Sequence, residues 1–212
     1  MHEKELARSE WYEVKAIHRA GEWVLRVLGL PYGGQEEDRD AQGEYFSGRT
    51  DFMLEPGDRR PAIYYHGLSP DGKTQSKPEV IGVATYAGKD EKGGWFDVVL
   101  DKGKELAQRV WKAAMDGLVK ASSGAVNYLV RREADGELIT WPVGELTLLD
   151  VGEGRAPANE LATVSLKAIF DEAQLDLPEA FRGAEEAADA ANQGNAVAEI
   201  VAATVAAWRE SR

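Results

Sequence analysis

The sequence contains no cysteine. This absence excludes disulfide bonds, thiolate nucleophiles and zinc–thiolate sites, and it suits a protein that works in a reducing compartment. A metal site in this chain would have to be built from carboxylates. We expect neither a metal ion nor an organic cofactor.

Basic side chains are scarce relative to acidic ones. The chain has 25 Lys and Arg against 37 Asp and Glu, which gives a formal net charge of −12 at pH 7. Proteins that bind nucleic acid need a basic stripe that neutralises phosphates. We therefore do not expect nucleic acid among the partners of this protein.

Long hydrophobic runs are also missing. No apolar run approaches the ~20 residues that span a bilayer. The first residues, Met-His-Glu-Lys, carry mixed charge and not the apolar segment of a secretion signal. We expect a protein that does not enter a membrane and stays in the cytosol, and 212 residues suit one domain with an appendage.

Short apolar runs bounded by Gly, Pro and Asp-Gly predict a mainly β structure. Strands are predicted in a hairpin over 11–30 and at 62–65, 80–86, 95–100, 124–132 and 138–149. The last two strands are joined by a tight turn at Asp135-Gly136. Helical spacing predicts a helix over 104–115 with Gly117 as its C-cap, whereas the aperiodic segment 31–58 is predicted to be an irregular surface excursion.

The composition shifts towards Ala, Glu and Asp after residue 151. The pattern predicts a helix over 161–173, an interruption at Pro178 and a long alanine-rich helix over 184–207. That last helix has only a narrow apolar stripe, which suits docking to a partner helix. Acidic alanine-rich ends are equally typical of solubilising tails, so both interpretations stay open.

Three residues have the types of a serine-hydrolase site, namely His66, Ser122 and Glu145, although their order along the chain differs from the chymotrypsin, subtilisin and α/β-hydrolase triads. A serine hydroxyl needs a neighbouring base, and a carboxylate on the far imidazole nitrogen fixes the tautomer of that base. The other two histidines, His2 and His18, lie near the amino terminus, so His66 is the only internal candidate. Glu145 lies in an apolar strand, where a carboxylate needs a partner.

The two adjacent serines cannot both face His66, because successive strand residues point to opposite sides of a sheet. Ser122 is our preferred nucleophile and Ser123 is the alternative. Gly124 would leave room for a substrate carbonyl, and its N–H is a candidate oxyanion donor.

Structural interpretations of the same residues remain open at this point. Ser-Ser-Gly is common in turns and at strand edges. A histidine at a strand end is often a hydrogen-bonded structural residue. Glu145 could face solvent or pair with Arg131 or Arg132 across a hairpin.

The order and spacing of several short motifs resemble the prohead proteases of tailed bacteriophages, also called capsid maturation proteases. The motifs are Arg39-Asp40-Ala41-Gln42-Gly43-Glu44-Tyr45-Phe46, Thr50-Asp51-Phe52, Tyr65-His66-Gly67 followed by Ile81-Gly82, Ala121-Ser122-Ser123-Gly124 and Trp141-Pro142-Val143-Gly144-Glu145-Leu146-Thr147-Leu148. The resemblance covers residues from about Trp11 to Ala158.

The resemblance implies an α+β fold like that of herpesvirus assemblin, a small and mostly antiparallel β-barrel flanked by helices. We expect this protease domain over 1–158, and the composition adds an acidic, alanine-rich helical C-terminal tail over 159–212, which the resemblance does not cover. The resemblance assigns Ser122, His66 and Glu145 as the catalytic triad. In assemblin-type enzymes an arginine helps to orient an oxyanion water, and Arg155 lies in the corresponding region.

The leading hypothesis is a serine endopeptidase that cleaves scaffold and coat-protein precursors, and also its own ends, inside the immature capsid in the host cytoplasm. The major capsid protein and the scaffold would be its substrates, and the resemblance also implies a homodimer. The runner-up is an assembly or scaffolding factor that keeps the protease fold but does not cleave. A small-molecule esterase is a weaker third hypothesis, because the Gly-x-Ser-x-Gly elbow is missing.

Overall fold

The computed structural model describes residues 14–19, 21–33, 39–40, 43–67, 78–150 and 165–182. The strands are β1 (Val14–Arg19), β2 (Glu22–Pro31), β3 (Arg59–Tyr64), β4 (Val80–Lys89), β5 (Gly93–Leu100), β6 (Val119–Ala125), β7 (Arg131–Arg132), β8 (Leu138–Thr140) and β9 (Val143–Asp150). The α-helices are α1 (Glu105–Met115) and α2 (Leu166–Glu172), and short 3-10 turns cover Tyr65–Gly67 and Asn127–Leu129.

Seven strands form one curled sheet in the order β1-β2-β5-β4-β3-β9-β6. Every pairing in this sheet is antiparallel except that of β3 with β9, which is parallel. The curl brings Cα atoms of β2 and β6 within 8 Å of each other, although these strands lie far apart in the sheet order. The expected mainly antiparallel, barrel-like α+β fold is confirmed at this level, while its likeness to assemblin stays a prediction.

The inner face of the curl holds the main hydrophobic core, which includes Leu25, Phe96, Trp141 and Leu146, each fully buried. Opposite walls of the curl touch at Gly29 in β2. A Cβ atom there would lie 2.6 Å from Cδ1 of Leu146 in β9, so only glycine permits this approach. Burial of large apolar side chains from both walls stabilises the curled shape.

The prediction of a surface excursion over 31–58 is wrong in one respect. The described part of this segment is irregular, but Phe46 and Phe52 are buried, and their rings meet edge to face with centroids 5.3 Å apart. Phe46 also packs edge to face on Trp141 at 5.4 Å. Two isolated aromatic anchors can bury a segment without producing any periodic pattern, which is why the sequence did not indicate burial.

The predicted strand over 124–132 is also placed too late. Strand β6 begins at Val119 and ends at Ala125, and the chain then turns before β7 and β8 pair as a separate two-stranded hairpin. The tight turn of that hairpin is confirmed, with Gly136 at φ 93°. The helix prediction is confirmed in α1, where Gly117 follows the C-cap at φ 70°.

Part of the outer face of the sheet is covered by α2 and the residues that follow it. Leu166, Ile169 and Phe170 of α2 pack with Ile63 and Val80 of the sheet. The described part of the expected tail, 165–182, therefore belongs to the packing of the sheet. The segment 183–212 lies outside the described residues, and the division into domains stays a prediction. No helix in the described ranges is long and apolar enough to cross a membrane.

Arg60 is a buried arginine that ties β3 to β9 and to the segment after α2. Its Nε donates to the carbonyl of Val143 at 2.6 Å, its Nη1 donates to the carbonyl of Arg59 at 2.9 Å, and its guanidinium lies 5.4 Å from the ring centre of Phe181. Burial lowers the pKa of Arg60 to about 10, so the side chain is still cationic at pH 7. The charge is balanced by carbonyl oxygens and by Asp58 at 3.9 Å.

Replacing Arg60 with alanine should lower the free energy of unfolding by about 2–4 kcal/mol, because buried carbonyls lose a charged donor and Phe181 loses packing. Arg59→Ala is the matched control, because Arg59 is the exposed neighbour on the same strand and should change stability by less than about 0.5 kcal/mol. Urea denaturation of the two variants makes the comparison. Equal losses would show that Arg60 does not join these elements.

Candidate active site

His66 lies in a strained turn at the end of β3. Tyr65 and His66 both have left-handed backbone conformations, with φ of 50° and 51°. Each such residue other than glycine costs about 1–3 kcal/mol, so the surrounding structure must hold the turn in place. The sequence predicted a histidine at a strand end but gave no sign of this conformation.

The strain is explained by the register of the parallel strands. Tyr64 of β3 lies opposite Leu148 of β9, so a straight continuation of β3 would place His66 beside Asp150. The left-handed turn folds the chain back along β9 instead. This return brings the imidazole to Glu145, several residues earlier in β9.

The imidazole and the carboxylate form a short hydrogen bond. His66 Nδ1 lies 2.6 Å from Glu145 Oε1, and only 1% of the Glu145 residue is exposed. Because an ionised carboxylate can only accept hydrogen bonds, Nδ1 carries the proton and Nε2 becomes the basic nitrogen. The alternative pairing of Glu145 with Arg131 or Arg132 is not observed, and Arg132 pairs with Glu44 at 2.5 Å instead.

Thr147 completes the environment of this pair. Its hydroxyl donates to Glu145 Oε2 at 2.9 Å, and its Oγ1 accepts a hydrogen bond from the backbone N–H of His66 at 3.1 Å. Both oxygens of the buried carboxylate are therefore hydrogen-bonded, as a buried charge requires.

Ser122 is placed by the antiparallel pairing of β6 with β9. It lies directly opposite Thr147, and Gly124 lies opposite Glu145. Opposed residues on neighbouring strands project from the same face of a sheet. Ser122 therefore shares the outer face with the two residues that hold His66, and only 2% of it is exposed.

Ser123, the alternative nucleophile, lies on the inner face. Its Oγ accepts a hydrogen bond from Nε1 of Trp141 at 3.1 Å, and both residues are fully buried in the core of the curl. The indole N–H needs an acceptor there, and Ser123 supplies it. Ser123 is thus on the opposite side of the sheet from His66.

The space beside Gly124 is occupied by the Glu145 carboxylate, whereas the sequence suggested a substrate carbonyl there. A Cβ atom at Gly124 would lie 2.3 Å from Glu145 Oε1 and 3.0 Å from its carboxyl carbon. The missing side chain therefore makes room for the carboxylate and not for a substrate carbonyl. The oxyanion role of the Gly124 N–H stays a prediction, and Arg155 lies outside the described residues.

A second polar cluster supports the turn, and sequence reasoning missed it. Asp150 at the end of β9 accepts hydrogen bonds from the Tyr64 hydroxyl at 2.6 Å and from Nε of Arg109 in α1, and its backbone carbonyl accepts one from the Tyr65 hydroxyl at 2.9 Å. Burial, and then the bond to Asp150, raises the pKa of Tyr64 well above its usual value. The hydroxyl thus stays protonated as a donor. These partners are too far apart in the sequence for any local pattern to connect them.

The described ranges hold no group of three or more His, Asp or Glu side chains that could bind a metal ion. Comparison with known proteins finds no matching family model, no matching curated protein and no matching solved structure. The function must therefore be argued from the geometry of His66, Glu145 and Ser122.

Substituting Gly124 with alanine should break the contact between His66 and Glu145, because the new methyl group would overlap the carboxylate. The expected result is loss of the far-downfield Nδ1–H resonance of His66 in the proton NMR spectrum. Gly48→Ala is the control, because a Cβ at Gly48 would meet nothing within 4 Å. An unchanged resonance in the Gly124 variant would contradict the packing described here.

Proposed function

We propose that this protein is a serine endopeptidase in which Ser122 is the nucleophile, His66 the general base and Glu145 the residue that orients His66. The observation that carries the proposal is the buried 2.6 Å hydrogen bond between His66 and Glu145 on the face of the sheet that Ser122 shares. A carboxylate-oriented imidazole beside a serine is the arrangement that activates a hydroxyl for acyl transfer.

In the proposed reaction, His66 Nε2 accepts the proton of the Ser122 hydroxyl while Oγ attacks the carbonyl carbon of a peptide bond. The tetrahedral intermediate collapses to an acyl-enzyme on Ser122 as the protonated imidazole gives its proton to the leaving amine. A water molecule, deprotonated by His66, then attacks the ester. This attack forms a second tetrahedral intermediate. Its collapse releases the new carboxyl terminus, and the protonated imidazole returns its proton to Ser122 Oγ.

The choice of substrate rests on the resemblance to prohead proteases. We infer that the substrates are the scaffold and the precursor of the major capsid protein, which are cleaved inside the immature capsid.

The role of Glu145 gains support from its buried setting, since a carboxylate that is 1% exposed stabilises an imidazolium more strongly than a solvated one.

A second candidate function is an assembly factor that keeps the fold without cleaving. Burial favours this alternative, because Ser122 is 2% exposed and His66 is 9% exposed, so a substrate must displace covering residues to reach them. The two functions differ in one measurable property, the reactivity of the Ser122 hydroxyl.

Ser122→Ala should slow trimming of the coat and scaffold proteins of the same phage by at least about 10³-fold, because no other group supplies the nucleophile. Ser123→Ala is the matched control. It removes the hydrogen bond to Trp141, costs about 1 kcal/mol of stability and leaves trimming intact. Intact mass spectrometry after co-expression reads both results.

A fluorophosphonate probe tests the nucleophile without a known substrate. The wild type and Ser123→Ala should gain the mass of one adduct, and Ser122→Ala should gain none. Trimming that persists in Ser122→Ala would rule out this nucleophile. A wild type that neither trims nor reacts with the probe would favour the assembly factor.

A further inference from the structure

Thr147 contacts both the backbone of His66 and the side chain of Glu145. One hydroxyl accepts from the His66 N–H at 3.1 Å and donates to Glu145 Oε2 at 2.9 Å. A hydroxyl has one proton to donate and lone pairs to accept with, so this residue can serve both partners at once. The side chain is fully buried, which removes water as a competitor for either bond.

The bond to the His66 backbone acts on the strained part of the site. Two consecutive left-handed residues, Tyr65 and His66, are favourable only when other contacts hold them. The bond from the His66 N–H to Thr147 fixes the peptide group within this turn. Without it, the turn can relax, and the imidazole then moves with the backbone.

The bond to the carboxylate acts on the orientation of the base. Glu145 has two carboxyl oxygens, and Thr147 holds Oε2 while Oε1 receives the proton on His66 Nδ1. Fixing the second oxygen fixes the plane in which the first one meets the imidazole. Ser122 lies directly across from Thr147 in β6, so all three proposed catalytic groups are located relative to this one residue.

We propose that Thr147 is a positioning residue that sets the location of His66 and the orientation of Glu145 through its hydroxyl. This inference rests on the proposed function for its catalytic consequence. The geometric part, that the hydroxyl holds the His66–Glu145 pair, can be tested without any substrate.

The decisive variants are Thr147→Val, which keeps the shape and removes the hydroxyl, and Thr147→Ser, which keeps the hydroxyl. Thr50→Val is the matched control, because Thr50 is also buried and its hydroxyl also bridges two groups, accepting from the Ser47 N–H at 2.9 Å and donating to the Leu138 carbonyl at 2.7 Å. The control applies the same chemical change away from the site.

We expect Thr147→Val to lower kcat for coat-protein cleavage roughly 10²-fold with little change in KM, because a displaced base loses its alignment while substrate contacts persist. Thr147→Ser should restore kcat to within about 10-fold of the wild type, and Thr50→Val should leave kcat unchanged. A Thr147→Val enzyme with wild-type kcat, or a Thr147→Ser enzyme as slow as Thr147→Val, would overturn the proposal.

The substrate-free arm follows the Nδ1–H resonance of His66 by NMR. The resonance should be lost or shifted in Thr147→Val and kept in Thr147→Ser and Thr50→Val. If Ser122→Ala still cleaves while the resonance behaves as expected, the proposed function fails and the positioning of the pair stands. If the resonance is unchanged in Thr147→Val, the positioning role fails whatever the enzyme does.

The wild-type protein provides a measurement that no folding defect can obscure. The backbone amide of His66 should exchange slowly with deuterium, because its proton is bonded to a buried hydroxyl. Rapid exchange of this amide, with slow exchange in the adjoining strand β3, would overturn the proposal.

Discussion

The buried carboxylate of Glu145 is the constraint on which the site depends. A carboxylate that is 1% exposed is tolerated only when hydrogen-bond donors surround it. Burying it without donors would cost roughly several kcal/mol, as for any desolvated ion. Two donors reach it here, His66 Nδ1 on one oxygen and the Thr147 hydroxyl on the other. Gly124 across the strand pair supplies the space. The hydrogen bond from His66 that stabilises the charge therefore also orients the imidazole.

Strand β9 organises this arrangement because it pairs on both of its edges. It lies parallel to β3 on one side and antiparallel to β6 on the other. The parallel edge brings the end of β3, and hence His66, alongside β9. The antiparallel edge places Ser122 opposite Thr147. His66 and Ser122, which are distant in the sequence, therefore both lie alongside this one strand.

The strain in the His66 turn is balanced by contacts that all come from β9. Thr147 binds the His66 N–H, Glu145 binds the imidazole, and the Asp150 carbonyl binds the Tyr65 hydroxyl. The Asp150 side chain in turn accepts a hydrogen bond from Arg109 of α1, which connects the helix to the turn. A strained backbone held by several independent contacts is a common property of functional sites, and here these contacts keep the imidazole in one position.

The sequence by itself determined the mainly β character, helix α1 and the turn at Gly136, because these follow from local periodicity and turn chemistry. It made His66 and Glu145 candidate partners, but solvent, Arg131 and Arg132 stayed open as alternatives for Glu145 until the tertiary structure placed the carboxylate against the imidazole. Only the tertiary structure decided which serine lies on the same face of the sheet as His66, because a strand pattern does not say which face is turned to the core. The hydrogen bond from Trp141 to Ser123 places Ser123 on the inner face. The tertiary structure also decided the burial of Phe46, the space at Gly124 and the contacts of Thr147. Each of these depends on atoms brought together across strands by the curl of the sheet, and no local pattern of residues records such an approach.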